Sequence, residues 1–399
     1  MNKREVVVLS GVRTAIGTFG GSLKSQAPTD LAALVVREAV SRAGVNPEAV
    51  GHCVFGHVVY SEPADMYMSR VAAIKGGLSE QTPAVTVNRL CGSGLQAVVT
   101  AAQQIETGVC STVIAGGAES MTRVPYWVPN ARFGYRMGDG ALVDAMVAAL
   151  HCPFEKTHMG ITAENIAEKW GISREAQDTA AVESHNRAQN AIEQGYFKTQ
   201  IVPVELLSRG KDGRNRVTLF DTDEHVRLNC TIDDMSSLKP VFKKEGTVTA
   251  GNASGLNDAA AALLLMDREA AEQQGLKPLA KLVGYSFAGV DPRYMGIGPV
   301  PAIRKLLDDA KLTVADIDLW EVNEAFAAQA LAVAQDLAIP RDKLNPNGSG
   351  ISLGHPIGAT GAVITVKALH ELQRIQGRYA VVSLCIGGGQ GIAALFERL

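Results

Sequence analysis

The chain has 399 residues, a formal net charge of −3, 46% hydrophobic residues and 20% charged ones. That length suits two or three domains or one duplicated core, and the apolar content excludes a disordered chain. With 38 basic residues against 41 acidic ones and 5% aromatics, the chain lacks the field and the stacking surface for nucleic acid, and the charge for an anionic membrane. Forty glycines are roughly a tenth of the chain against a usual share of about 7%, and their lack of a three-residue period excludes collagen.

Residues 5–10 read as a buried strand, and residues 30–43 as a helix with Leu31, Leu34, Val35 and Ala39 on one face, Thr29 as its cap and Gly44 as its stop. A strand at 52–58, a helix at 66–75, a strand at 84–88, a helix at 93–106 and a strand at 112–115 running into Gly116-Gly117 come next. The last third repeats the order: helix 302–310, strand 316–322, helix 325–337, helix 358–373, strand 379–384, then a turn at Gly387-Gly388-Gly389. Such alternation implies a mainly parallel sheet covered on both faces. Three segments of the first half (from Arg42, Cys91 and Val113) pair with segments of the last third (from Asp309, His355 and Leu384). Their offsets agree to within roughly seven residues, which suggests a duplicated α/β unit.

Between the copies, residues 120–246 break the alternation with a Pro/Arg/aromatic stretch at 123–136, helices at 163–169 and 174–194, and a polar segment at 208–234. Residues 205–246 hold eight basic and eight acidic side chains, so this is no basic patch. An insertion this long over one face of a sheet suits a lid or binding subdomain.

The start at Met1-Asn2-Lys3-Arg4-Glu5 runs into Val6-Val7-Val8-Leu9 without a long apolar region or cleavage site, and no run nears the ~18 apolar residues of a membrane span. Cys53, Cys91, Cys110, Cys152, Cys230 and Cys385 show neither a C-x-x-C pair nor zinc-type spacing. The expectation is a cytoplasmic chain with reduced thiols.

Cys91 stands in "NRLCGSGLQAV", after a strand and at a helix start, where free N–H groups and partial positive charge favour a thiolate. Gly92 and Gly94 would let a substrate approach the backbone. A small buried thiol is the plainer reading of an intracellular cysteine. His355, in "NGSGISLGHPIGATGA", also sits between a glycine-rich turn and a helix start, with Pro356 at the first helical position. A lone histidine is more often structural; its case comes from occupying the elbow that corresponds to Cys91, because a cysteine facing a histidine is an activated thiol. Cys385, in "SLCIGGGQG", ends a strand before three glycines whose N–H groups could hold an oxyanion. In "EVNEAFAAQ", Asn323 is either a helix cap or a holder of water or a carbonyl oxygen. No carboxylate pair, metal-ligand cluster or phosphate-binding loop stands out.

Taken together, "NRLCGSGLQA", "GGAESM", "HMGITAEN", "TAGNASGLNDAAAA", "EVNEAFAAQ", "NPNGSGISLGHPIGATGA" and "CIGGGQG" resemble the motifs of the thiolase family, in its order and across essentially the whole chain. Within the family the resemblance is to bacterial acetyl-CoA acetyltransferases and β-ketothiolases, including those of polyhydroxyalkanoate precursor synthesis. It implies two similar βαβαβαββ halves in a five-layer αβαβα arrangement. One half would be 1–119 with 247–275, the other 276–399, and 120–246 would be a loop domain for coenzyme A and oligomerisation.

The resemblance further implies Cys91 as the acylated nucleophile, His355 as its activator and a partner of the thioester oxygen, and Cys385 as the acid/base at the α-carbon. Asn323 would hold a water in one oxyanion hole, and the N–H groups of Cys91 and Gly387 would form the other. His158, Met159, Ser254, Ala325 and Phe326 match coenzyme A contacts, and Arg227 and Leu238 match more loosely. Acetyl-CoA, acyl-CoA and 3-ketoacyl-CoA would be substrates, with no metal or redox cofactor, in a homotetramer. The alternatives are a 3-ketoacyl synthase working on acyl-carrier protein, which usually pairs its cysteine with two histidines or with His and Asn, and a thiolase-like acyl-CoA or lipid binder without catalysis.

Overall fold

In the computed structural model, which describes residues 4–209 and 214–399, the first half runs β1 (Val6–Arg13), β2 (Gly17–Thr18), α1 (Pro28–Ala43), β3 (His52–Gly56), α2 (Met68–Lys75), β4 (Ala84–Val87), α3 (Ser93–Glu106) and β5 (Thr112–Ser120). The insertion carries β6 (Tyr126–Trp127), β7 (Val143–Asp144), α4 (Ala145–Ala149), α5 (Met159–Trp170), α6 (Arg174–Glu193), β8 (Val204–Arg209), β9 (Asn215–Phe220) and α7 (Ile232–Ser236). The chain returns through β10 (Asn257–Asp267), α8 (Arg268–Gln273), β11 (Ala280–Gly289), α9 (Pro299–Ala310), β12 (Leu319–Val322), α10 (Ala327–Leu337), α11 (Gly350–Leu353), α12 (Thr360–Arg374), β13 (Tyr379–Ile386) and β14 (Gln390–Arg398). The charged start at 1–3 and residues 210–213 of the polar segment lie outside the described residues.

Local chemistry accounts for the helix ends. α1 begins with Pro28, whose missing N–H costs nothing there, so its N-cap is Ala27 and the expected cap Thr29 lies inside the helix. It stops at Gly44, in the left-handed region at φ 67°, whose N–H closes on the Ser41 carbonyl. α12 begins at Thr360, a turn later than the Pro356 start expected from sequence, because residues 356–359 form a separate turn in which the Ala359 N–H reaches the Pro356 carbonyl.

The sheet is mixed, which corrects the expectation of a mainly parallel one. Its order is β12-β13-β14-β11-β1-β10-β5-β3-β4, with β2 on β10. Among the described strands, only β12–β13, β3–β5 and β3–β4 pair in parallel. Strand–helix alternation describes only these outer strands. The long central strands β1, β10, β11 and β14 pair antiparallel with each of their neighbours in the sheet. The run "DAAAALLLMD" of β10 is buried at every position, so it has no two-residue alternation to mark it as a strand.

The duplication is visible in the topology. Outward from the seam where Val6–Val8 pair with Leu282–Ala280, one side reads β1, β10, β5, β3, β4 and the other β11, β14, β13, β12. The place of β4 in the second half is taken by a parallel bridge from Trp320 to Leu344. α3 and α12 pack on each other and on strands of both halves, while α1 and α2 cover one outer face and α9 and α10 the other. They build the five-layer αβαβα arrangement that the resemblance implies.

The two central helices touch through glycine. A methyl group on Gly94 would stand 2.5 Å from the Ala362 nitrogen, and one on Gly361 would run into the Leu95 backbone. α12 is buried nearly all round, as a helix between two sheets must be.

Candidate active site

Cys91 is presented by a strained elbow. Leu90, just before it, has φ 46°, a conformation that costs a bulky side chain about 1–3 kcal/mol and persists only when its surroundings impose it. The Asn88 side chain accepts from the Leu90 N–H at 2.9 Å; the Ser93 hydroxyl accepts from the Arg89 N–H at 2.8 Å and donates to the Leu90 carbonyl at 2.7 Å. Arg89 fixes the elbow to the other half, donating to Gln390 at 3.3 Å with its guanidinium 4.6 Å from the Phe287 ring centroid.

The glycines beside Cys91 serve packing rather than substrate approach. A methyl on Gly92 would sit 2.7 Å from the Ile386 side chain, and Gly94 meets α12. They let the C-terminal half close on the nucleophile, so β13 can bring Cys385 and Gly387 alongside it. The Gly387 N–H and the Cys91 N–H both favour the ionised Cys91 sulfur, and Cys91 lies close enough to Cys385 to disfavour its ionisation.

Electrostatics reverse one expectation. The start of α3 should by itself favour a thiolate, but burial pushes the Cys91 thiol up to about 11, outweighing the two N–H groups. Burial, with Cys91 adding to it, also pushes Cys385 up. Burial pushes His355 down to about 4. At neutral pH the resting site therefore holds two thiols and a neutral imidazole.

His355 is held by its backbone and its ring. Its N–H donates to the Asn257 side chain at 2.9 Å, and Gly354 before it, at φ 111°, leaves no room for a side chain against Asn257. Ring Nδ1 lies 2.7 Å from the Thr360 hydroxyl. Asn323 follows β12, not a helix start, so the capping alternative falls away: α10 begins at Ala327 with Phe326 as its N-cap. The Asn323 amide nitrogen lies 3.5 Å from both ring nitrogens, and its amide oxygen is buried without a partner. An orphaned oxygen of that kind calls for a donor such as water.

Cys91, His355, Cys385 and Gly387 line one cavity of about 390 Å³, together with His158, Met159, Ser254, Ala325 and Phe326. That volume lies within the range of small-molecule sites, about 300–1,000 Å³. His158 caps α5, its Nδ1 accepting from the Gly160 N–H at 3.0 Å, and stacks on Phe242 at 4.6 Å between ring centroids. The Ser254 N–H donates to the Ala325 carbonyl at 3.0 Å, joining two loops of the wall. Arg227 and Leu238 are not among the cavity's lining residues. The Arg227 N–H bonds His185, and Leu238 packs near Gly251 with its carbonyl held by Arg174.

Some site residues carried no sequence signal of their own. Met121, Met146, Leu150, Met295 and Ile357 give the cavity an apolar wall, and Asn257 and Thr360 reach His355 only through tertiary contacts. Glu119, fully buried, accepts from the N–H groups of Val58, Val59 and Gly358, pinning the turn that comes after His355. Among the described residues no group of three or more His, Cys, Asp or Glu side chains is arranged to hold a metal ion.

Comparison with known proteins matches residues 6–269 to the thiolase N-terminal domain and residues 276–398 to the thiolase C-terminal domain. A beta-ketothiolase, BktB, of Cupriavidus necator is 66% identical over 99% of this chain and 100% of its own. An acetyl-CoA acetyltransferase of Escherichia coli is 47% identical over 99% and 100%. Among solved structures, the Bacillus anthracis acetyl-CoA acetyltransferase superposes with a TM-score of 0.96 at 47% identity, covering 100% of this chain and 99% of that one. Human mitochondrial 3-ketoacyl-CoA thiolase in complex with CoA gives 0.95 at 43%, covering 99% and 98%. Matched by both domain families and aligned almost end to end with these relatives, the chain belongs to the thiolase family.

Proposed function

We propose that this chain is an acetyl-CoA C-acyltransferase of the β-ketothiolase type, condensing acetyl-CoA with acetyl-CoA or a short acyl-CoA to 3-ketoacyl-CoA and running the reverse thiolysis. The observation that carries the reading is the convergence of Cys91, His355, Cys385 and the Gly387 N–H on one apolar cavity. In the first half-reaction the Cys91 sulfur attacks the thioester carbonyl. The His355 imidazole takes the thiol proton and returns it to the departing coenzyme A sulfur. The N–H groups of Cys91 and Gly387 hold the oxygen of the tetrahedral intermediate.

In the second half-reaction Cys385 handles the proton at the α-carbon. As a thiol it protonates the acetyl-CoA enolate released in thiolysis; as a thiolate it removes that proton in condensation. A thiol whose pKa is raised by burial gives a strong base, which a weakly acidic C–H requires. Asn323 and a water on its free oxygen stabilise the enolate oxygen. His158, Met159, Ser254, Ala325 and Phe326 guide the pantetheine arm, and Arg227 and Leu238, off the cavity wall in the loop domain of residues 120–246, would serve the nucleotide end of coenzyme A. Coenzyme A enters as a substrate, and the chemistry asks for no metal or redox cofactor.

We read the assembly as a homotetramer. Support comes from the exposed edge strand β4 with Val85 outward and from Tyr126, Trp127, Phe133, Met137 and Leu142, apolar side chains exposed on the insertion. All six cysteines are free, which suits the cytoplasm. Among the described residues no helix is long and apolar enough to cross a membrane. The test of function is thiolysis of a series of 3-ketoacyl-CoA substrates, from acetoacetyl-CoA upward, with acyl-carrier protein in place of coenzyme A as the contrast. Turnover with the carrier protein alone would make the chain a ketoacyl synthase, and turnover with neither would make it a binding protein.

A further inference from the structure

Thr360 opens α12 five residues after His355, and its hydroxyl stands between two partners. It lies 2.7 Å from His355 Nδ1 and 2.8 Å from the Pro356 carbonyl oxygen. His355, Pro356 and Thr360 are all buried, so no bulk water competes for these bonds. A carbonyl oxygen can only accept, and the one hydroxyl proton of Thr360 is therefore committed to Pro356. The ring contact must then take its proton from the imidazole: Nδ1 donates to the Thr360 oxygen. A neutral imidazole carries a single N–H, so Nε2 keeps a bare lone pair. Asn323 does not decide between the nitrogens, because its amide is 3.5 Å from each, at the outer limit of a hydrogen bond.

We propose that Thr360 is the positioning residue that fixes His355 in the Nδ1–H tautomer and so leaves Nε2 as the atom that takes the Cys91 proton; this rests on the acyl-transfer reading of the site. A threonine bonded back to the carbonyl four residues earlier is ordinary in helices. Here the same bond fixes the hydroxyl proton and turns its oxygen into an acceptor aimed at the ring. The Pro356 carbonyl also takes the Ala359 and Thr360 N–H groups at 2.8 and 2.9 Å, so the acceptor that orients the hydroxyl is itself immobile. In a Ser-His-Asp triad a carboxylate does this work, and forcing the wrong tautomer lowers turnover about 10⁴-fold. A neutral hydroxyl holds the ring less firmly, so the loss here is set at roughly 10- to 1,000-fold.

The experiment compares Thr360→Val, Thr360→Ser and His355→Ala in single-turnover acetylation of Cys91 by acetyl-CoA, with nitrogen NMR of histidine-labelled wild-type protein. The valine variant should lose acetylation rate by roughly 10- to 1,000-fold with KM for acetyl-CoA changed less than about threefold, and serine should restore the rate to within about threefold. The wild-type spectrum should show His355 protonated on Nδ1 and bare on Nε2. A wild-type His355 protonated on Nε2 overturns the proposal even if the valine variant does not fold. So does a valine variant that acetylates normally while His355→Ala does not. Normal acetylation in His355→Ala would overturn the acyl-transfer reading as well.

Discussion

Removing the imidazole should make acylation of Cys91 depend on pH where the wild type does not. With the thiol held up to about 11 and His355 down to about 4, both by burial, the wild-type pair keeps one protonation state from about pH 5 to 10, and its acetylation rate should be flat between pH 6 and 9. In His355→Ala the only nucleophile is the spontaneously formed thiolate. At pH 7 a thiol of pKa about 11 is ionised in about one molecule in 10⁴, and that fraction rises tenfold with each pH unit. The defect relative to wild type should therefore be about 10³- to 10⁴-fold at pH 7 and shrink about tenfold per unit toward pH 9. Rapid-quench acetylation followed by intact mass measures this directly, without the second half-reaction. A ratio constant across that range would refute the reasoning, because the missing group would then not be a base. A wild-type Cys91 that alkylates with a plateau near neutrality would refute the neutral resting pair.

Three further predictions concern other parts of the site and its support. Cys385→Ser should form acetyl-Cys91 but lose condensation and exchange of the acetyl-CoA α-proton by more than about 100-fold; proton NMR of the exchange would expose an error if the label washes out normally. Glu119→Gln should destabilise the fold by about 1–3 kcal/mol, since an amide cannot accept from all three N–H groups, and an unchanged urea midpoint would remove Glu119 as the anchor of the turn after His355. His57 supplies a pH test. Burial alone would lower it, but Glu119, Asp65 and the Ala118 carbonyl outweigh burial and hold it above its ordinary value. Its contribution to stability should be full below about pH 6.5 and fade as pH rises through the raised value. His57→Gln should flatten that decline, and an identical pH profile for the variant would mean the buried imidazolium is not formed.

Much of the fold could be read from local signals. α3 spans the residues its pattern marked, and Gly44 ends α1 by the left-handed turn that glycine permits. The weak repeat survives as one strand order used twice. The antiparallel centre was hidden because β10 is buried at every position and its Ala259–Met266 run is apolar without alternation. Hairpin partners such as β13 and β14 are separated only by Gly387–Gly389, a run that reads as a turn without revealing the direction of the next strand.

At the site, residue types and motif order singled out Cys91, His355, Cys385 and Gly387, which the fold brings to one cavity. What they could not reveal was burial. Sequence sees a cysteine at a helix start and expects a thiolate; the folded chain sets that side chain against the apolar cluster of Met121, Met146 and Ile357, and desolvation wins. Asn257, Thr360 and Glu119 went unread for a related reason, since each acts on His355 or its turn through contacts that exist only once the two halves have closed. Gly92 and Gly94 suggest room for a substrate, whereas their missing side chains make room for β13 and α12.

The most direct test of the account is to mix the enzyme with acetyl-CoA alone, quench, and map the adduct by peptide mass. One acetyl group should be found as a thioester on Cys91, present in Cys385→Ser and absent in Cys91→Ser. An acetyl group found only on another residue would contradict it.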